Sequence, residues 1–319
     1  MEQARASRLP ARKAPLLPSE TTTTVNPANL FIASHMDVLG IDFTSAPKRS
    51  KPLIRLRCIF DGQVLRAGDL EEWSTFSAFE EALQRPGPWI AGIDFPFGQS
   101  RRFIETIGWP PNWRDYVLHA QSLDRRGFRY VLDRYRQRRL DGDKEHRRRT
   151  DLAAGSVSPQ KLYGVPVGLM FFEGAPRVAR SGVTIPGLQV GDPNRVVVEA
   201  YPGILARRLI GRRRYKQETR RKQTAEQRDA RRDMLTSLIS GAVYGLYGFA
   251  IEAPVTLCDD PLGDHLDALL CAMQAAWAWR NRAQGFGMPS DLDPLEGWIA
   301  DPSLAPTLSA SVSPSPNKL

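Results

Sequence analysis

The sequence predicts an α/β domain: a mixed β-sheet of five strands flanked by helices, with a large helical insertion between the fourth and fifth strands. Three observations carry this. Apolar strand, hairpin, short helix and second apolar strand follow one another in residues 38–95. A valine-rich strand returns at Arg195–Glu199 after a long, largely helical stretch, and a long apolar helix closes the ordered chain.

Each element has a local reason. Val38–Phe43, apolar except for Asp42 near its end, reads as a buried strand. Leu53–Phe60 and Gln63–Leu70 flank Asp61-Gly62, a pair that favours a type I′ hairpin. Ser74 or Thr75 caps a short helix carrying Phe76, Phe79 and Leu83. Trp89–Phe95 follows Pro86-Gly87-Pro88 as the fourth strand. Residues 96–194 form the insertion, with one helix from about Trp113 to Leu140 and an irregular Gly/Pro-rich stretch at Ser156–Pro186. Residues 203–240 read as helical and basic, and Gly248–Ile251 as a further short strand. Asp260 and Pro261 open the last helix, whose core face carries Leu262, Leu266, Leu269, Leu270, Met273 and Trp277.

The flanks differ in character. Residues 1–35, with the run Thr21–Thr24, and residues 303–319 are rich in Ala, Ser, Thr and Pro without apolar periodicity, so both are expected to be disordered. The domain is expected over 36–302, and Met36, directly before the first strand, is a candidate start. The net charge is +9, of which the ends supply +2 and +1, so +6 belongs to the domain itself. That balance suits polyanionic partners such as DNA or RNA. Cys58, Cys258 and Cys271 lack metal-type spacing and read as buried thiols of a reducing compartment. The N-terminus lacks the apolar core of a secretory signal, and Ala268–Trp279 is too short to span a bilayer. A cytoplasmic protein without membrane attachment is the expectation; oligomeric state is invisible.

Acids stand where packing does not ask for them. Asp42 and Asp94 each end an apolar strand, both in Gly-Ile-Asp-Phe. Glu199 ends the valine strand. Asp264 and Asp267 lie three apart on the last helix, Asp267 deep among Leu266, Leu269 and Leu270. Asp42 and Asp94 read ordinarily as turn caps and Asp264 as a complement to a helix N-terminus, whereas Asp267, a turn deeper, and Glu199, of a type disfavoured in strands, are harder to explain so. Together they predict convergence, because ligand sites of open α/β sheets form at the carboxyl ends of parallel strands. Clustered carboxylates need a cation, and oxygen ligands without a His or Cys set suit Mg²⁺ or Mn²⁺. Asp42, Asp94, Glu199 and Asp267 are the expected metal ligands, with Asp264 alongside as a fifth catalytic acid. Two ions in such a site activate water and stabilise the leaving oxygen in phosphodiester cleavage.

The motifs GIDFTSAP (Gly40–Pro47), GIDFPFG (Gly92–Gly98), RRTD (Arg148–Asp151), VEAYPG (Val198–Gly203), DHLDAL (Asp264–Leu269) and EGWI (Glu296–Ile299) occur in that order. Together they resemble the family called domain of unknown function 429, described as predicted nucleases of ribonuclease H-like fold. The resemblance spans roughly Met36 to Ile299. It implies Asp42 on the first strand, Asp94 on the fourth, and Asp264 and Asp267 on a C-terminal helix. That helix pair is similar to the paired helix aspartates of Holliday-junction resolvases. Glu199 matches the family's own strand motif.

Arginine is dense in Arg125–Arg149 and Arg207–Arg232. Arg213, Arg214 and Lys216, in a stretch without compensating acid, and Arg148 and Arg149, within a family motif, are the expected phosphate contacts. Tyr201 and Trp109 are candidates for stacking on bases, though such aromatics are more often core. His265 lies about 100° round the helix from Asp264, which favours packing over proton transfer. Ser156 and Ser158 have no His/Asp partners, and no phosphate-binding P-loop is present. The leading expectation is a metal-dependent nuclease. A non-catalytic nucleic-acid-binding protein and an actin-like ATP-dependent phosphotransferase are the alternatives; the lack of Gly-rich phosphate hairpins speaks against the last.

Overall fold

A computed structural model describes residues 35–305. The expected disordered ends therefore lie outside the described residues, except for His35 and residues 303–305, where Pro302–Leu304 makes a 3₁₀ turn. The chain runs β1 (Met36–Asp42), β2 (Leu53–Phe60), β3 (Val64–Trp73), α1 (Phe76–Leu83) and β4 (Trp89–Ile93). The insertion then holds α2 (Arg101–Ile107), α3 (Trp113–Ser122), α4 (Asp124–Gln137), α5 (Arg149–Ala154), α6 (Val167–Arg180) and β5 (Val183–Thr184). After it come β6 (Asp192–Glu199), α7 (Gly203–Ile210), α8 (Ala225–Ile239), α9 (Tyr244–Tyr247), β7 (Ala250–Glu252) and α10 (Asp264–Arg280).

The strands form one mixed sheet in the order β5-β6-β4-β1-β2-β3-β7. β1, β2 and β3 are an antiparallel meander, and β1, β4 and β6 run parallel. Among the described residues seven strands stand where five and a further short one were expected. β5 and β7 sit at the two edges; β7 is the short strand read at Gly248–Ile251, and β5, two residues long, leaves no apolar period. The Asp61-Gly62 hairpin forms, but not as a type I′ turn. Of its residues, Gly62 alone has positive φ, and the Asp61 carboxylate accepts from the Gln63 and Val64 N–H groups, each at 2.8 Å.

Strand periodicity divides the sheet into two faces. From β1, Met36 and Val38 pack with α7, α8 and α10, while Leu39, Ile41 and Phe43 pack with α1, α3, α4 and α6. β4 repeats this, with Ile90 on the first side and Trp89, Ala91, Ile93 and Phe95 on the second. The repeated Gly-Ile-Asp-Phe is thus one binary pattern: Ile and Phe feed the core under the insertion, and Gly and Asp face α10. Gly40 pairs with Gly92 across the two strands. A β-carbon on Gly40 would lie 1.8 Å from the Ala268 carbonyl oxygen, and one on Gly92 2.3 Å from that of Cys271. Two glycines let α10 lie directly on the sheet.

Four helix expectations need correction. Residues 203–240, read as helical, hold α7 and α8 with a non-helical stretch over 211–219 between them. The helix read over Trp113–Leu140 is two, α3 and α4, broken where Asp124 takes φ 54°. α6, hidden in the Gly/Pro-rich stretch, is a largely buried helix that tolerates Pro176, and its Gly174 abuts the Phe95 ring. α10 begins at Asp264, not Asp260. The Asp260 carboxylate accepts from the Leu262 and Asp264 N–H groups, and Gly263, at φ +76°, makes the entry.

Candidate metal centre

Asp42 ends β1, Asp94 follows β4, and Asp267 comes from the first turn of α10. The approach permitted by Gly40 and Gly92 brings one carboxylate oxygen of each within 4.8 Å of the others. Asp42 and Asp267 are buried and Asp94 half-buried. Asp264 is buried beside them. Burial, reinforced by Asp267 and Glu199 and opposed by Lys216, pushes the Asp94 carboxyl up to about 8. Asp42 is raised well above the usual range by burial, against the pull of Lys216 and with repulsion from Asp264, Asp267 and Asp94. Asp264 is pushed up to about 6, again by burial against Lys216. Carboxylates held this way favour a proton or a cation. Their all-oxygen chemistry fits a hard divalent ion, and the three could hold one.

Lys216, expected to meet phosphate, instead turns its ammonium into this cluster. Nζ rests on Asp267 Oδ2 and lies 3.8 Å from Asp264 Oδ1. Burial alone would lower this ammonium; Asp267 and Asp42 outweigh it and hold the group well above its ordinary value. The Tyr215 hydroxyl donates to Asp267 Oδ1 at 2.7 Å. Neither residue was legible as part of the acidic site, because the loop before α8 carries no periodic signal connecting it to α10.

Glu199 does not join the cluster, and strand parity is the reason. It pairs with Ile93, so it shares the face of Ile93, not that of Gly92 and Asp94. There Arg148 donates from both Nη atoms to its carboxylate, at 2.5 and 2.7 Å, and the Phe97 N–H donates at 2.8 Å. Arg148 also binds Asp151 through Nε and Nη2, each at 2.9 Å. The guanidinium, 1% exposed, is thus enclosed by two carboxylates and presents nothing to a phosphate. These acids hold it well above its ordinary value despite burial. The other expected phosphate contacts are outside. Arg149 is exposed and paired with Asp291, Arg213 is exposed with Asp233 at 2.6 Å, and Arg214 is exposed.

The remaining candidates sort by their neighbours. Ser156 donates to Asp151, Ser158 to the His146 carbonyl, and His265 lies 3.9 Å from Glu72. Trp109 packs on Phe103 and Phe128 with the core. Tyr201 lines a cleft of about 770 Å³, counted to its open mouth, together with Asp94, Lys161 and Met170; Ser156 and the paired Arg148, Asp151 and Glu199 line the same cleft.

The model of the family described as "Protein of unknown function (DUF429)" matches residues 40–291. The chain belongs to this family. Compared with curated proteins and with solved structures, the chain has no significant match. The DUF429 match spans β1 to beyond α10, so it includes Asp42, Asp94, Asp264 and Asp267 as well as the Arg148–Glu199 pair. No described helix of this DUF429 chain is long and apolar enough to cross a membrane.

Proposed function

We propose that this protein is a metal-dependent nuclease of ribonuclease H-like fold, cleaving phosphodiester bonds at Asp42, Asp94 and Asp267. The convergence of these three carboxylates within 4.8 Å, from the ends of two neighbouring parallel strands and one helix, carries the reading. A ribonuclease H-like core calls for its first and fourth strands to lie side by side and parallel, and β1 and β4 are so arranged. Bound Mg²⁺ or Mn²⁺ would supply an activated water and charge stabilisation at phosphorus. Asp42, Asp94 and Asp267 would hold it, Asp264 would add negative field, and the Asp94 side of the cleft would receive the nucleotide next to the bond cut. Tyr201 offers that nucleotide a face for stacking, and Lys161 a cation for its phosphate. The net positive charge of the domain supports a nucleic-acid partner.

The test is cleavage of labelled single-stranded, duplex and branched DNA and RNA with Mg²⁺, Mn²⁺ or chelator. Wild type is expected to cut at least one substrate only with metal, and Asp42→Asn to lose most of that activity while remaining folded. Wild type that cuts none of them, or Asp42→Asn that cuts equally well, would overturn the proposal.

A further inference from the structure

Lys216 reaches the carboxylates on a backbone held at three consecutive residues. Arg231, fully buried, donates from Nη1 to the Tyr215 carbonyl and from Nε to the Cys258 carbonyl, both at 2.8 Å. Gln227 donates to the Lys216 carbonyl at 3.2 Å, and the Gln217 N–H donates to the Pro261 carbonyl at 2.9 Å. Beneath them, a β-carbon on Gly263 would stand 3.1 Å from both Lys216 Cγ and the Tyr215 ring. A lysine whose backbone is held by this many contacts is a charge built into the site, although 40% of its side chain remains open to solvent. Next to it, Asp264 Oδ2 is buried and has no hydrogen-bond partner among the described residues, so the cluster retains ligand capacity that the ammonium does not use.

We infer that Lys216 is a fixed cation of this centre: the site takes one divalent ion per chain, and that ion competes with the Lys216 ammonium for Asp267. An ammonium a few ångströms from a divalent ion repels it by far more than thermal energy in a partly desolvated site. A second ion on Asp267 would have to displace Lys216 from its contact. Facing a phosphate, the ammonium would provide the second positive charge that a pair of ions otherwise provides, as a compact donor on a flexible stem. The inference rests on the metal-site reading of Asp42, Asp94 and Asp267 and not on cleavage.

The experiment is Mn²⁺ titration of the full chain, followed by calorimetry and by the electron paramagnetic resonance signal of free Mn²⁺, for wild type, Lys216→Met and Lys216→Arg. Wild type should bind one ion. Lys216→Met should bind Mn²⁺ about tenfold more tightly or better, or accept a second ion, because a repelling charge is gone. Lys216→Arg, which keeps the charge, should stay within about threefold of wild type. Should Lys216→Met not fold, Lys216→Gln, which keeps a donor to Asp267, carries the same test. Uptake by the neutral variant alone would mean that the ammonium fills the site outright, and would overturn the inference that wild type takes one ion beside it. Two ions on wild type, unchanged or weaker affinity in the neutral variant, or no uptake by either would overturn it. A protein that binds Mn²⁺ as described but cleaves nothing would remove the nuclease reading and leave this one standing.

Discussion

Gly40 lies so close beneath Ala268 that a β-carbon on it would stand 1.8 Å from the Ala268 carbonyl oxygen. Because Ala268 follows Asp267, this contact sets the height of Asp267 above the ends of β1 and β4. Gly40→Ala must therefore push backbone against backbone, which no rotamer change can relieve. It should lower unfolding free energy by at least about 1–3 kcal/mol, the usual cost of overpacking. Mn²⁺ affinity should fall with it, as Asp267 is lifted from Asp42. Gly92→Ala should behave alike, and a surface control such as Gly62→Ala, where nothing lies within 4 Å, should cost only its positive-φ strain. Urea unfolding paired with Mn²⁺ titration checks both effects.

The titration of the acids gives metal-free protein a particular pH dependence. Asp94 is pushed up to about 8 and Asp264 to about 6, and Asp42 is raised as well. Groups that bind protons more tightly when folded stabilise fully below their unfolded values, near 4 for an aspartate. That contribution disappears as pH rises through the folded values. In chelator, stability contributed by this site should therefore decline from about pH 4 to about pH 8. Asp94→Asn should flatten the decline, and Mg²⁺ or Mn²⁺ should stabilise more at pH 8 than at pH 5. Denaturant unfolding across that range, with and without metal, measures it; an equal metal effect at both pH values would contradict it.

Much of the site was legible in the sequence, and the reasons are local. Gly-Ile-Asp-Phe at two strand ends and Asp-His-Leu-Asp on a helix carry strand and helix periods within a few residues, so Asp42, Asp94, Asp264 and Asp267 announce themselves. What failed depended on which face a residue takes or on distant packing. Glu199 looked equivalent to Asp42 and Asp94, but it stands one residue earlier in register and points to the other face. Arg148 looked like a phosphate contact because its two buried carboxylate partners, Asp151 and Glu199, are invisible in sequence. α6 was missed because Gly168, Gly174 and Pro176 break the local helix signal, although close packing against Phe95 and its neighbours sustains the helix.

The Arg148–Glu199–Asp151 group should act on stability and not on metal. Arg148→Met leaves two buried carboxylates without their cation, a loss of about 3–5 kcal/mol by analogy with broken buried pairs. Glu199→Gln should destabilise less, since Asp151 still pairs Arg148. Because Glu199 already accepts from Arg148 and Phe97, Glu199→Gln should leave Mn²⁺ affinity within about threefold of wild type. A large loss of Mn²⁺ binding in a folded Glu199→Gln protein would instead place this acid among the ligands.

Arg213 and Arg214, both exposed near α8, are expected to touch phosphate without reading sequence. Changing both to Ala should weaken nucleic-acid binding for all sequences alike and reduce the slope of log K against log salt by about one to two. Fluorescence anisotropy over a range of salt concentrations measures this. An unchanged slope would assign both to the solvated surface, with Arg213 engaged only by Asp233.

The claim on which all of this depends is that Asp42, Asp94 and Asp267 together hold the catalytic ion, and a crystal structure of protein soaked in Mn²⁺, with anomalous data at the manganese edge, tests it most directly. One strong anomalous peak is expected, bonded to oxygens of all three carboxylates, with the Lys216 ammonium still within reach of the cluster, and no such peak in an Asp42→Asn crystal treated identically. No peak between the three carboxylates, in crystals whose Mn²⁺ binds elsewhere or not at all, would contradict it.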